Sequence, residues 1–461
     1  MSDLITELER IVRPGGLVME DDLRSRAAST TDVTPHAAIA LVRPKTTEEL
    51  SKIMALCHQH GQPVVVQGGL TGLVGGAVAG KDELAISLEQ MNEIESIDTA
   101  GRTITVAAGV TIQSVQEKAA ENGLLFPVDW GARGSAMVGG AIATNAGGNS
   151  VLRFGMMREQ VLGLEVVLAD GTILTSMNTL LKNNAGYDLK QLFIGSEGTL
   201  GIITRAVFRL QSAPQSYLTA LVAVSTFANV TDLLGRLATD LADALSAYEV
   251  MWQEHYEMVV EEGGHQWVLP AGYPYYIVIE MIGAHPDTDA ERFESVLAAA
   301  MEAELITDAV LCSSHSQRDA VWGIREDVDT FMRVLHPPIP YDVSLPITAM
   351  EPYVVKVRAE MHRRFPQARG TAFGHLGDNN LHFCWSVGSD APEDIAEVSR
   401  IVYENLLPFN GSVSAEHGIG LAKRKYLGYS RSDEEIHWMK QLKRLFDPDN
   451  LLNPGRIIDI E

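Results

Sequence analysis

The chain has 461 residues, of which 46% are hydrophobic and 21% charged, and its formal net charge is −24. This length exceeds what one hydrophobic core usually organises, so two or three domains are expected. The negative charge argues against a nucleic-acid partner, whose phosphates it would repel, although a few local cations can still bind a small anionic substrate.

Cysteine usage and the N-terminus indicate the compartment. Cys57, Cys312 and Cys384 form no CxxC pair and are too few for a disulfide framework, which favours a reducing environment. The first residues lack the layout of a signal peptide, and no apolar run reaches the roughly 18 residues that a transmembrane helix needs. We therefore predict a cytoplasmic protein without a transmembrane segment.

Short apolar runs alternate with helical patterns in the first half of the chain. Thr46 to Glu49 resembles a helix capping box, and Gly61 stands where the C-cap of that helix belongs. Asp170-Gly171 predicts a hairpin turn. The predicted strands are 63–66, 84–88, 103–107, 165–169, 172–175 and 201–210.

The pattern changes near Ala213-Pro214. Strand patterns without glycine loops then alternate with helical ones, which predicts a sheet covered by helices on one side. The predicted strands are 218–224, 276–281 and 309–312, and the predicted helices are 226–242 and 287–303.

Three segments rich in small residues lie in the first half. Residues 67–76 hold five glycines directly after a predicted strand, which suits the close approach of backbone N–H groups to a diphosphate but is also compatible with a flexible surface loop. The loop meets neither the GxGxxG dinucleotide fingerprint nor the Gly-Lys-Ser/Thr of a triphosphate loop. Residues 134–148 and 195–204 are also built of small residues, as a bulky planar ligand lying flat against the backbone would require.

These segments resemble the flavin-binding domain of the vanillyl-alcohol-oxidase superfamily, in its branch of FAD-dependent D-2-hydroxyglutarate and D-lactate dehydrogenases with an FAD-linked oxidase C-terminal domain. Residues 162–171 and 186–201 are especially similar to that branch, and the resemblance runs from Arg43 to Gly455. It implies an α+β, two-lobed VAO/PCMH-type flavoprotein. Its expected parts are an FAD-binding domain (1–211), a substrate cap domain with a largely antiparallel sheet (212–410) and a C-terminal segment that packs back on the FAD domain (411–461).

The resemblance also implies the cofactor site. Some relatives attach FAD through a histidine in the first loop, but this loop has none, so non-covalent FAD is expected. The implied FAD-binding residues are Gln67, Gly68, Gly69, Leu70, Thr71, Gly72, Pro127, Gly139, Gly140, Thr144, Asn145, Gly147, Gly148, Glu197, Gly198, Ile202 and Asn453.

A second group of residues suggests a metal. His375 and His382 stand seven residues apart across a predicted turn between strands, and Glu416 follows later. Two histidines and a carboxylate with an open position are typical of catalytic zinc, which can polarise a substrate oxygen. Spacing alone leaves ordinary hydrogen-bonded histidines open. The resemblance implies that all three are ligands of a divalent metal, preferably zinc, although manganese suits the same set.

The resemblance also assigns the residues that act on the substrate. His417 is the expected general base, and the alternative is that it only orients Glu416. Arg325 is expected to pair with the substrate C1 carboxylate, and the alternative is a helix-surface salt bridge with Glu326 or Asp329. Tyr341 completes the strand motif of the substrate-binding set.

Two positions depart from the hydroxyglutarate pattern: Pro340 stands where a Lys is expected, and Cys384, also assigned to the substrate site, stands where an Asn is expected. A second substrate carboxylate would lose partners there. D-lactate or a longer 2-hydroxyalkanoate is therefore at least as well suited as 2-hydroxyglutarate.

The implied reaction oxidises a D-2-hydroxy acid to the 2-oxo acid, with hydride passing to flavin N5 and electrons passing on to a quinone or an electron-transfer flavoprotein. A homodimer stays open. The rival functions are an oxygen-using FAD oxidase of another alcohol, a metal-dependent hydrolase or lyase without flavin, and a non-catalytic flavin-binding subunit.

Overall fold

The computed structural model describes residues 2–29 and 36–460. It divides into two units. Unit 1 comprises 1–148, 155–213 and 416–461, and unit 2 comprises 149–154 and 214–415. No helix in these described ranges is long and apolar enough to cross a membrane.

Unit 1 contains two main sheets. In the first, of order β1-β2-β4-β3, strands β2, β3 and β4 run parallel, and the second, of order β5-β6-β10-β8-β9, is antiparallel. The strands of the first sheet are β1 Leu17–Val18, β2 Leu41–Val42, β3 Val64–Gln67 and β4 Leu84–Ser87, those of the second are β5 Ile94–Asp98, β6 Thr103–Ala107, β8 Val161–Val167, β9 Ile173–Ser176 and β10 Ile202–Arg209, and β7 Leu124–Leu125 pairs with β11 Gln211–Ser212.

The helices of unit 1 follow the local signals in the sequence. The Thr46 side chain accepts from the backbone N–H of Glu49, and Gly61 ends the helix in the left-handed region, as predicted. The Glu49 carboxylate accepts from the Lys45 N–H (2.8 Å), so the second half of the predicted capping box is shifted by one residue. Unit 1 contains α1 Ser2–Ile11, α2 Glu20–Arg24, α3 Thr47–His60, α4 Ile112–Ala120, α5 Val138–Ala143, α7 Met157–Gln160, α8 Lys190–Phe193 and α16 Asp433–Phe446.

Unit 2 is built on a seven-stranded antiparallel sheet of order β15-β12-β14-β13-β17-β18-β16. Its elements are α6 Val151–Phe154, β12 Ser216–Val224, α9 Phe227–Asp240, β13 Leu245–Trp252, α10 Gln253–Gly263, β14 Tyr275–Gly283, α11 Pro286–Glu302, β15 Asp308–Leu311, α12 His315–Arg325, α13 Val328–Val334, β16 Ile339–Ser344, α14 Met350–Arg364, β17 Arg369–His375, β18 Asn380–Ser386 and α15 Pro392–Glu404. The predicted antiparallel cap sheet and the α+β class are thus confirmed.

The expectation that helices cover one side of this sheet is wrong. On one face, Met251 of β13 and Phe373 of β17 form a core cluster with residues of α10, α12 and α13. On the other face, the Tyr248 hydroxyl donates to a carbonyl of α9, and Tyr353 of α14 packs on Phe383. Helices cover both faces because the strands carry apolar side chains on both sides, so neither face could be left to water.

Residues 149–154 belong to unit 2 although they lie within the first half of the chain. Asn149 donates to Glu326, and Arg153 donates to the carbonyl of Ile282 on β14. The sequence pattern did not predict this short crossing, because the contacts that hold it are distant along the chain.

Candidate active site

The three small-residue segments come together within unit 1. Gly69 packs so closely on the second segment that a Cβ there would lie 1.9 Å from the Ser135 carbonyl oxygen. The third segment joins the second through Gly195 N–H to the Ile142 carbonyl (3.0 Å) and Glu197 N–H to the Ala143 carbonyl (2.7 Å). Close backbone packing explains why side chains are small here.

Two glycines on these segments border open space. A Cβ built at Gly72 or Gly140 meets no heavy atom within 4 Å, so both positions border open space. Gln67 ends β3 and is buried, and its side-chain amide donates to the Ala77 carbonyl (2.9 Å), which fixes the start of the loop. These features fit FAD, whose diphosphate needs exposed backbone N–H groups.

Asn453 connects the C-terminal segment to two of the predicted cofactor segments. Its Oδ1 accepts from the backbone N–H of Val66 (2.9 Å), and its Nδ2 donates to the carbonyl of Glu197 (2.7 Å). Lys443 holds the same region from α16, since its ammonium donates to the carbonyls of Thr199 (2.8 Å) and Leu452 (2.7 Å). The sequence predicted Asn453 as a cofactor residue, and its side chain is buried in these contacts.

The Glu197 carboxylate faces the segment that follows Glu416 and His417. It accepts from the backbone N–H groups of Ile419 (2.7 Å) and Gly420 (2.8 Å). Burial raises the pKa of Glu197 and outweighs these two N–H groups and the charge of Lys423. Within unit 1 this side chain therefore fixes the 418–420 backbone.

The remaining predicted cofactor residues also lie in unit 1. Asn145 has a left-handed backbone (φ 51°) and accepts from the N–H of Arg158 (2.9 Å), and Gly148 (φ +129°) packs against the Asp129 carbonyl. Pro127 and Ile202 are buried. The others, Gly68, Leu70, Thr71, Gly139, Thr144, Gly147 and Gly198, lie on the three segments already described.

In unit 2 the two predicted histidine ligands share one face of the sheet. His375 ends β17, His382 lies on β18, and their ring centroids are 5.4 Å apart. Asp342 of β16 lies opposite His382 in the antiparallel register, so its carboxylate is on the same face. The sequence pattern did not single out Asp342, although an acidic residue directly after Tyr341 on a strand was a usable signal.

The segment that leads to Glu416 is attached to Asp342. Asp342 Oδ2 accepts from the Ser414 hydroxyl (3.1 Å) and from the backbone N–H of Ala415 (3.2 Å). Glu416 and His417 are the next residues along the chain, and His417 Nε2 lies 3.5 Å from Glu416 Oε1.

A buried carboxylate that was not among the predicted site residues connects His375 to Arg325. Glu249 is 2% exposed, and its Oε1 accepts from His375 Nδ1 at 2.8 Å. Its Oε2 accepts from Arg325 Nε at 3.1 Å and lies 2.8 Å from Nη2. Although burial alone would raise the pKa of Glu249, His375 and Arg325 hold it below its ordinary value.

Arg325 does not form the surface salt bridge that was the alternative in the sequence. It ends α12, is 6% exposed and lies over the ring of Phe373, with 4.8 Å from Cζ to the ring centroid. The guanidinium is therefore a buried cation on the sheet face that carries His375 and His382.

Tyr341 and Cys384 are placed differently from what a substrate-binding role requires. Alternation along β16 directs Tyr341 to the face opposite His382, where its hydroxyl lies 2.8 Å from the Ser399 hydroxyl. Cys384 shares the face of His382 but is fully buried in an apolar cluster, and burial raises the pKa of its thiol to about 12. The structure thus brings together Arg325, His375 and His382 but separates Tyr341 from them.

Comparison with known proteins supports a flavoprotein. Residues 213–457 match the model of the FAD linked oxidases, C-terminal domain, and residues 38–176 match that of an FAD binding domain. The chain is 36% identical over 458 residues to the mitochondrial D-2-hydroxyglutarate dehydrogenase of Bos taurus, which covers 99% of this chain and 83% of that protein. It is 37% identical over 426 residues to a protein of Schizosaccharomyces pombe provisionally named a mitochondrial D-lactate dehydrogenase, covering 90% and 81%.

The fold has solved counterparts. The structure of an alkyldihydroxyacetonephosphate synthase aligns with a TM-score of 0.76 at 18% identity, over 98% of this chain and 86% of that one. At this identity the likeness concerns the fold alone, and it agrees with the predicted two-lobed class. Both relatives above carry the word mitochondrial in their names, so the predicted cytoplasmic location stays a prediction.

Proposed function

The chain belongs to the FAD-linked oxidase family, and from that membership we propose that it is an FAD-dependent dehydrogenase that oxidises a D-2-hydroxy acid to the 2-oxo acid. The observation that carries this proposal is the set of buried Arg325, buried His375 and half-buried His382 on one face of the cap sheet. A guanidinium and two imidazoles together suit an anionic substrate with an adjacent hydroxyl.

We propose that FAD is held non-covalently by the three small-residue segments of unit 1, Asn453 included. Bound FAD would supply the acceptor for the C2 hydride, at N5. The chain itself supplies backbone N–H groups at 68–72 and small side chains at 139–148. Glu197 and Asn453 contribute by fixing neighbouring backbone, as their hydrogen bonds indicate.

We propose His375, His382 and Glu416 as ligands of a divalent cation, preferably zinc, with Asp342 as a further carboxylate on the same face as His382. The donor set of two imidazoles and carboxylates fits such an ion. The cation would supply Lewis-acid polarisation of the 2-hydroxyl.

We propose that His417 accepts the hydroxyl proton and that Arg325 binds the C1 carboxylate. An imidazole is suited to proton acceptance near neutral pH. Electrons would then leave to an external acceptor such as a quinone or an electron-transfer flavoprotein. The relatives named as D-2-hydroxyglutarate and D-lactate dehydrogenases support this class of substrate.

The test is anaerobic titration of the purified yellow protein with a panel of D- and L-2-hydroxy acids, followed at about 450 nm, with turnover assayed by a dye acceptor. Only D-isomers are expected to bleach the flavin. His375→Ala should keep the flavin and lose the bleaching, and persistent bleaching in that variant would contradict the metal role. Colourless protein made with ample riboflavin would overturn the proposal and favour a hydrolase that uses the same histidines.

A further inference from the structure

Glu249 occupies an unusual position in β13. The strand Leu245–Trp252 is buried at every residue, and Glu249 is the one charged side chain in it. An unpaired carboxylate at such a site would cost several kcal/mol, so its partners must compensate. Those partners are the imidazole of His375 and the guanidinium of Arg325.

The contact with His375 fixes the protonation of that ring. An ionised carboxylate can only accept hydrogen bonds, so His375 Nδ1 must carry the proton that it donates to Glu249 Oε1 at 2.8 Å. In the neutral imidazole the lone pair then lies on Nε2. This is the arrangement that a histidine ligand needs, since a carboxylate behind the ring sets both its tautomer and its direction.

The contact with Arg325 selects the edge of the guanidinium that is offered to a ligand. Nε and Nη2 both face Glu249 Oε2, at 3.1 and 2.8 Å. A substrate carboxylate binds a guanidinium through two parallel N–H groups, and the edge formed by Nη1 and Nη2 is the other such edge. The ring of Phe373 lies under the same guanidinium and restricts its tilt.

We propose that Glu249 is a positioning residue that couples the two halves of substrate recognition, the cation that binds the 2-hydroxyl and the arginine that binds the C1 carboxylate. The inference rests on the proposed function. One carboxylate, with one oxygen on each partner, orients His375 toward the metal and Arg325 toward the substrate. Disturbing Glu249 therefore weakens metal binding and substrate binding together.

The same sheet face supplies a matched control in Glu280 of β14. Glu280 is 4% exposed and accepts from Arg318 of α12 (Nε, 2.7 Å), from Trp322 Nε1 (3.0 Å) and from the Thr219 hydroxyl (2.8 Å). It is a buried carboxylate paired with an arginine of the same helix as Arg325, and the three partners just named do not include a histidine. Glu280→Gln therefore reproduces the loss of a buried ion pair without touching the proposed ligand set.

The experiment compares Glu249→Gln, Glu249→Asp and Glu280→Gln with the wild-type full chain loaded with FAD. Zinc affinity is measured by competition with a chromophoric chelator, and KM and kcat are measured for the best D-2-hydroxy acid at saturating zinc. We expect Glu249→Gln to lose about 10- to 100-fold in zinc affinity. We also expect its KM to rise about 10-fold with a smaller change in kcat, which is the signature of lost binding rather than lost chemistry.

Glu249→Asp keeps the charge opposite Arg325, so it tests the idea if Glu249→Gln does not fold. Its shorter carboxylate should show both losses at smaller magnitude. Unchanged zinc affinity and KM in the Glu249 variants would overturn the inference, as would a loss of only one of the two. Equal losses in Glu280→Gln would also overturn it, because the effect would then be a general one on the sheet.

The same measurements distinguish failure of the proposed function from failure of the inference about Glu249. If the wild-type protein is reduced by no 2-hydroxy acid, the function is wrong. The zinc competition still decides whether Glu249 supports the ligand His375. If the wild type turns over and the Glu249 variants match it in both measurements, the function stands and only the coupling is refuted.

Discussion

Two glycines of the first loop should respond to an added methyl group in opposite ways. Gly69→Ala places a Cβ 1.9 Å from the Ser135 carbonyl oxygen and 3.1 Å from the Ala136 Cα, both of them backbone atoms that cannot rotate away. Gly72→Ala places its Cβ in open space, with no heavy atom within 4 Å. Neither glycine has a positive φ, so strain in the left-handed region does not complicate the comparison.

The magnitudes follow from these contacts. A Cβ essentially never approaches another heavy atom within 3.0 Å, so Gly69→Ala must push the two segments apart by more than about 1 Å. Such overpacking costs about 1–3 kcal/mol, or roughly 2–4 °C in Tm per kcal/mol for a domain of 150–250 residues. Gly72→Ala should leave the flavin-free protein within about 0.5 kcal/mol of wild type. It should still weaken FAD at least about 10-fold, because the methyl group keeps the diphosphate from the backbone.

The assay is thermal unfolding of the flavin-free full chain, followed by titration with FAD using quenching of flavin fluorescence. Gly69→Ala is expected to lower both the unfolding temperature and the affinity for FAD, and Gly72→Ala is expected to lower only the affinity for FAD. A Gly69→Ala protein as stable as wild type would refute the packing of the two segments. A Gly72→Ala protein that binds FAD normally would refute the assignment of this loop to the diphosphate.

Three further tests concern unit 1. Lys443→Met removes a buried ammonium 2.5 Å from Asp447 and should lower the free energy of unfolding, measured with urea, by about 3–5 kcal/mol. Adding Asp447→Asn should restore part of this loss. An unchanged urea midpoint in Lys443→Met would contradict the pairing. Although burial raises the pKa of Glu89, the guanidinium groups of Arg43 and Arg26 hold it below the ordinary value of 4.5. The ionised Glu89 carboxylate therefore adds to the free energy of unfolding above pH 4.5, and this contribution is lost as the pH falls through the lowered pKa. The loss of stability caused by Glu89→Gln should accordingly shrink in acid. A loss that does not depend on pH would contradict this cause. Asn453→Ala should lower stability by about 1–3 kcal/mol and weaken FAD binding, and normal flavin retention would argue that its two hydrogen bonds do not support the cofactor segments.

The local signals in the sequence were sufficient for most elements near them. The helix that begins after Thr46 and ends at Gly61 was predicted from its caps, and the hairpin at Asp170-Gly171 from its turn residues. Each depends on a few neighbouring residues, so no knowledge of tertiary contacts was needed. The His375–His382 hairpin was predicted in the same way, from strand patterns on both sides of a short turn.

The part of the site that could not be predicted depends on contacts between distant residues. Glu249 lies 126 positions from His375 along the chain and 76 from Arg325, and β13, which carries it, was not among the predicted strands. One signal was present, since a single acidic residue interrupts the apolar run Leu245–Trp252. A charge in such a run predicts a buried partner, but it cannot say which of many cations provides it.

The two departures from the hydroxyglutarate pattern acquire a physical meaning from the strand register. Pro340 and Cys384 are paired residues of β16 and β18, so both lie on the face that carries His382 and Asp342. Neither side chain offers a positive charge, and the Cys384 thiol, with its pKa raised to about 12, packs in an apolar cluster. A second substrate carboxylate that reached this part of the face would exchange water for apolar surface, and each tenfold loss of affinity needs only about 1.4 kcal/mol. The proposed carboxylate site at Arg325 therefore has no charged counterpart at Pro340 or Cys384, and D-lactate or a longer 2-hydroxyalkanoate stays at least as well suited as 2-hydroxyglutarate.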